Sequence, residues 1–143
     1  MKSAFLDANV VIDVLLERQP FLHNALLILS LADKGFVNLI CSPLSLGTAS
    51  YLMERNKISS TIIKDKMKIF SEYSKVSIVD EAVVQQSIDS DFEDFEDALQ
   101  YFSAVAAGAD CIVTRNKQDF APSAVPVYWP GEFVDMVKGQ MAW

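Results

Sequence analysis

Asp94-Phe95-Glu96-Asp97-Ala98-Leu99-Gln100 and Ile112-Val113-Thr114-Arg115-Asn116-Lys117-Gln118-Asp119-Phe120 bring carboxylates to positions from which they can meet Asp7 near the start of the chain. Acidic groups gathered at one edge of a sheet repel each other unless something positive sits between them, and a divalent metal ion is the natural candidate. Asp7 follows Phe5-Leu6, so it leaves an apolar layer just as the chain turns into a helix, and Asn9 projects near the same edge. An Asp at a strand-to-helix turn is also a common helix cap, so position alone leaves cap and site level. Most of the acidic run Asp89 to Asp97 can be put down to the preference for carboxylates in a first helical turn and to a capping arrangement of Asp94 with Asp97. Asp97 is the exception, because it falls toward the side of the helix expected to be buried, an awkward place for an unpaired charge. Thr114, Asn116 and Asp119 would alone read as an ordinary polar turn, with Arg115 solvated. With Asp7 and Asp97 they make the oxygen-rich surroundings that Mg2+ or Mn2+ prefers.

These residues need a scaffold that brings the two ends of the chain together. Ala4 to Leu6 reads as a first strand, followed by helical spacing of Val10, Val11, Val14, Leu15 and Leu16. Phe21 to Lys34 is an amphipathic helix stopped by Gly35, and Phe36 to Cys41 is a second strand. Ser42-Pro43 opens a helix to about Arg55, Ser59 or Ser60 opens another to about Tyr73, and Val76 to Val79 is a third strand. Asp80 caps a helix over Glu81 to Ser87. A further helix runs from Phe95 to about Ala107, with Gly108 after it. Asp110 to Val113 is a fourth strand and Val125 to Tyr128 a candidate fifth, before a last short helix from Pro130 with Phe133, Val134 and Val137 facing inward. Alternating strands and helices imply a three-layer α/β/α sandwich with a central parallel sheet of four to five strands. In such sheets ligands gather outside the carboxyl ends of the strands, where Asp7 and Thr114 lie.

At 143 residues, 51% hydrophobic, the expectation is a single domain over residues 1–143. No apolar run approaches the roughly 20 residues needed to span a bilayer, and residues 1–7 carry no secretory pattern, so a cytoplasmic protein without membrane contact is expected. Cys41 and Cys111 read as buried thiols, and the one histidine, His23, argues against zinc. The net charge of −7 disfavours general electrostatic binding of nucleic acid without excluding a nuclease. Lys57, Lys64, Lys66 and Lys68 form the densest cationic group and read as a solvated helix face.

Phe5-Leu6-Asp7-Ala8-Asn9-Val10-Val11-Ile12-Asp13 and the two stretches above resemble, in order and spacing, the three blocks of the PIN domain family, the ribonuclease fold of the VapC toxins. The resemblance implies a metal-dependent endoribonuclease. Its metal-binding carboxylates carry over as Asp7, Asp97 and Asp119, with Asn9, Thr114 and Asn116 as supporting polar groups and Arg115 a potential contact to the RNA backbone. Family members commonly add a Glu in the helix after the second strand. Here that position falls on Thr48, with Glu54 two turns further along and Glu96 or Asp94 the nearest substitutes. Losing one of four carboxylates should weaken metal binding. The resemblance also implies a homodimer and a small antitoxin that blocks the site, with the helix Phe21 to Ala32, Trp129 and Trp143 as contact surfaces.

Three other readings are open to the same residues. A haloacid-dehalogenase-type phosphatase needs an acid where Asn9 stands, and a response-regulator receiver needs a Lys near Tyr128-Trp129-Pro130. A PIN domain weakened or silenced in catalysis, acting as an RNA- or protein-binding module, is kept alive by Thr48.

Overall fold

Alternation of small and branched apolar residues along β1 (Lys2–Leu6), β2 (Val37–Cys41) and β4 (Cys111–Val113) buries both faces of the sheet at its centre. Ala4, Leu6, Leu39, Cys41, Cys111 and Val113 join one core cluster, while Phe5, Ile40 and Ile112 join the other. Such two-sided burial is what a parallel sheet covered by helices requires. The computed structural model describes residues 2–141. β3 (Ser74–Val76) and β5 (Val127–Tyr128) complete a five-stranded, all-parallel sheet in the order β3-β2-β1-β4-β5.

The first cluster draws its covering side chains from α1 (Ala8–Leu15), α2 (Leu22–Asp33), α3 (Pro43–Arg55), α4 (Ser60–Ser71) and α7 (Pro130–Met141). α6 (Phe95–Ala106) covers the other face through Tyr101 and Ala104, with Phe120 beside them, and α5 (Glu81–Ile88) packs on α6. Helix starts follow local chemistry. Ser42, Ser59, Asp80 and Asp94 each accept a hydrogen bond from a backbone N–H of the first turn, and Pro43 takes the position where its missing donor costs nothing. Gly35 and Gly108 follow α2 and α6 with φ of 82° and 76°, a left-handed backbone that other residues adopt only with strain.

One strand lies elsewhere than its apolar run suggests. β3 covers Ser74–Val76 rather than Val76 to Val79, because β2 ends at Cys41, which is already the partner of Val76. The last rung is Ser77 N donating to Cys41 O, and Ile78 beyond it is 72% exposed. Inward-facing Phe133, Val134 and Val137 on α7 and the buried free thiols of Cys41 and Cys111 follow expectation. Lys57, Lys64 and Lys68 are exposed, while Lys66 bridges Glu17 and the Leu15 carbonyl. Among the described residues no helix is long and apolar enough to cross a membrane.

Candidate functional site

From β1 the chain proceeds to β2 and β3 on one side, and β4 pairs with β1 on the other. The boundary between β1 and β4 is therefore the point where the strand order reverses and a crevice opens. Asp7 ends β1 there, its backbone N–H donating to Val113 O at 3.0 Å. Its side chain is both cap and site. Oδ1 accepts from Ala8 N at 2.8 Å and Gln100 Nε2 at 3.2 Å, and Oδ2 from Thr114 Oγ1 at 2.8 Å and Asn9 Nδ2 at 3.2 Å. Burial pushes the carboxyl above its ordinary range although the bonds from Thr114, Ala8 and Gln100 pull it back, and nearby Asp119 adds to the rise.

Asp97 enters the crevice from the first turn of α6, where its backbone N–H donates to the Asp94 cap. The half-buried carboxyl is pushed up to about 7, by burial first and then by the negative charges of Asp94, Asp7, Asp119 and Glu96. Asp119 approaches from the 3-10 turn Lys117–Phe120 and is exposed. A cavity of about 240 Å³ lies between the end of β1, α3 and α6, lined by Asp7, Ser45, Thr48, Glu96, Asp97 and Gln100 among others. Thr48 is exposed on its wall, where the resemblance calls for Glu, and Glu54 does not reach it.

Asp7, Asp97 and Asp119 thus share one electrostatic field without forming a closed ligand cage. Among the described residues no three acidic, His or Cys side chains gather tightly enough to hold an ion directly. The donor set is nevertheless all oxygen and carries surplus negative charge. It fits a hard dication that retains several of its own waters. The buried Oε1 of Gln100 has no hydrogen-bond partner, leaving one more acceptor unmatched beside Asp7.

The supporting residues are joined in a chain. Asn9 Nδ2 also donates to Thr114 Oγ1 at 3.3 Å, Asn9 Oδ1 accepts from Arg115 N at 3.2 Å, and Thr114 Oγ1 accepts from Asn116 N at 3.0 Å. Asn116 itself is exposed. Arg115 is paired rather than merely solvated. Its Nε and Nη2 donate to Asp13 at 2.7 and 3.2 Å, and its guanidinium lies 3.7 Å from the centre of the Phe21 ring. Arg18 Nε adds a third bond to the same carboxylate, which is only 1% exposed.

Sequence reasoning missed Asp13, Ser45 and Gln100. Gln100 donates to Asp7 and, at 2.9 Å, to the fully buried Ser45 Oγ, so it ties β1, α3 and α6 together beneath the cavity. Helical spacing could have found it, since Gln100 is three positions after Asp97 and Ser45 three before Thr48.

A model of the PIN domain matches residues 3–118 of the chain. Ribonuclease VapC1 of Aquifex aeolicus (strain VF5) is 29% identical over 128 residues, covering 85% of this chain and 86% of that protein. Among solved structures, VapBC2 from Rickettsia felis, bound to a DNA fragment from its promoter, superposes with a TM-score of 0.63 at 17% identity, over 89% of this chain and 98% of that one. A protein of Pyrobaculum aerophilum gives 0.63 at 14% identity, over 97% and 91%. VapC20 of Mycobacterium tuberculosis, a toxin that cleaves the sarcin-ricin loop, gives 0.57 at 16% identity, over 76% and 86%.

Proposed function

The chain belongs to the PIN domain family, and from that premise we propose that it is a metal-dependent endoribonuclease, the toxin of a toxin-antitoxin pair. The observation that supports this reading most is the pairing of a buried, fourfold hydrogen-bonded Asp7 with an Asp97 driven to about 7 by burial and, after it, by surrounding carboxylates. Structural carboxylates are normally matched by cations, and here the surplus negative charge is unmatched at a strand-order switch point. Asp7, Asp97 and Asp119 would hold Mg2+ or Mn2+. When bound, such an ion supplies Lewis acidity, making water a nucleophile near neutral pH and offsetting charge on the phosphodiester.

The chain's own residues set the stage for that chemistry. Thr114, Asn9, Gln100 and the Ala8 amide hold both oxygens of Asp7 in one orientation, so little reorganisation is needed as substrate arrives. Asp97 surrenders its proton when positive charge enters the crevice, so loading is linked to pH near 7. Asn116 and Asp119, exposed on one turn, face an approaching RNA. The relative named Ribonuclease VapC1 and the VapBC2 complex support RNA as substrate and a small antitoxin as partner. A homodimer is part of the same proposal.

A second reading has its own observation. Thr48 stands on the cavity wall and no three ligating side chains gather among the described residues, as expected of a PIN domain that binds RNA or protein with weakened catalysis. Incubation of purified protein with single-stranded RNA and Mg2+ or Mn2+ separates the two. Cleavage abolished by chelator and by Asp97→Asn supports the nuclease. Binding of RNA without metal-stimulated cleavage supports the module.

A further inference from the structure

Next to the acidic crevice, across the Asn9 to Arg115 hydrogen bond, lies a second cleft of about 300 Å³ lined by Phe21, Asn24, Arg115, Trp129 and Pro130. Two of its walls are large aromatic rings left open to solvent, Phe21 at 39% and Trp129 at 52% exposure. Each ring is paired with a cation. The Arg115 guanidinium lies over Phe21, and Lys117 Nζ lies 4.9 Å from the centre of the Trp129 ring. Both cations are in turn matched by carboxylates, Arg115 by Asp13 and Lys117 by Glu132 at 3.1 Å. This rim is therefore close to electrically neutral on a chain of net charge −7, and an anionic strand can approach it without the repulsion that unmatched carboxylates exert.

We propose that this cleft is a nucleobase-stacking subsite that seats one unpaired base of the RNA beside the scissile phosphodiester. The subsite rests on the nuclease reading of the adjoining crevice and specifies its substrate as single-stranded. Aromatic planes interleaved with guanidinium groups bind bases by stacking, with little dependence on base identity. Arg115, Asn116, Lys117 and Asp119 occupy one continuous turn after β4, so a strand whose base entered the cleft would lay its backbone along Asn116 toward the carboxylates. Asn24 places an amide at the cleft wall, where it can meet a base edge. Among the described residues the Trp129 side chain makes no hydrogen bond and it is half-exposed, so its replacement should leave the scaffold intact.

The test titrates single-stranded oligoribonucleotides into Asp97→Asn protein, which keeps the RNA whole, with Trp143→Phe added so that Trp129 is the remaining indole reporter. The fluorescence of Trp129 should be quenched on binding. Trp129→Ala should weaken binding on the order of tenfold, Trp129→Phe should retain most of the affinity, and an oligonucleotide carrying abasic positions should bind both proteins as weakly as Trp129→Ala binds intact RNA. RNA bound equally well by Trp129→Ala, with Asp97-dependent cleavage in the parent protein, overturns the subsite and leaves the nuclease; the cleft would then suit a protein ligand. Parent protein that neither binds nor cleaves RNA overturns both.

Discussion

Thr114 donates to Asp7 through a hydrogen bond of 2.8 Å from Oγ1 to Oδ2, joining residues 107 positions apart across the seam between β1 and β4. Thr114 is fully buried, and the same oxygen accepts from Asn9 and Asn116. Thr114→Val keeps the shape and removes the donor, leaving Asp7 Oδ2 with Asn9 alone. Dication affinity by calorimetry, and RNA cleavage with it, should fall about 10- to 100-fold, with a stability loss of about 1–3 kcal/mol in urea. Unchanged metal affinity would mean that this bond serves the fold only.

Asp97→Asn removes a carboxylate that burial and four neighbouring acids already disfavour. Cleavage should drop by about two orders of magnitude or more. The metal-free variant should nonetheless melt at a higher temperature than the parent at pH 8, because a like-charge conflict has been relieved. A variant that melts lower would show Asp97 to be matched by a partner rather than strained.

The elevation of Asp97 from its ordinary 3.8 to about 7 also sets a pH dependence. Between those values the folded protein holds a proton that the unfolded chain has released, so stability of the metal-free protein falls as pH rises through this window and levels off above it. Denaturation at pH 5 and pH 8 should reveal this decline, and Asp97→Asn or saturating Mg2+ should flatten it. Dication affinity should rise with pH up to about 7, since the ion and the proton compete for one carboxylate.

Thr48→Glu puts a carboxylate on the cavity wall at the position where the family resemblance calls for one. Affinity for Mn2+ should rise about tenfold through the added ligand charge, and cleavage at limiting metal should rise with it. Titration of metal against cleavage rate checks both, and an unaltered curve would place residue 48 out of reach of the ion.

Arg115→Met leaves Asp13 buried with Arg18 alone. Breaking a buried pair from one side costs about 3–5 kcal/mol, and the lower end applies here because one cation remains. Asp13→Asn should cost less, because Arg18 and Arg115 are 39% and 24% exposed and can turn to water. Urea denaturation of both variants gives the comparison.

Much of this fold is legible in the chain because its signals are local. Ser42-Pro43, Ser59, Asp80, Asp94, Gly35 and Gly108 mark helix ends by hydrogen bonds and backbone angles confined to one turn. The alternation through Phe5 and Leu6 marks a strand buried on both faces. The same residues, with the acidic and Thr-Arg-Asn stretches, were sufficient to reach the family. The extent of β3 was not legible, since an edge strand ends where its neighbour stops offering partners, whatever its own apolar run suggests. Nor was the pairing of Arg115 with Asp13, which depends on α1 passing beside the turn after β4. Gln100 beneath Asp7, and an Asp97 raised by burial and by four separate carboxylates, likewise exist only once α3, α6 and two strand ends are assembled. Spacing along a chain selects which side chains share a face; the distance between faces, and so the strength of every charge and hydrogen bond across them, is decided by packing.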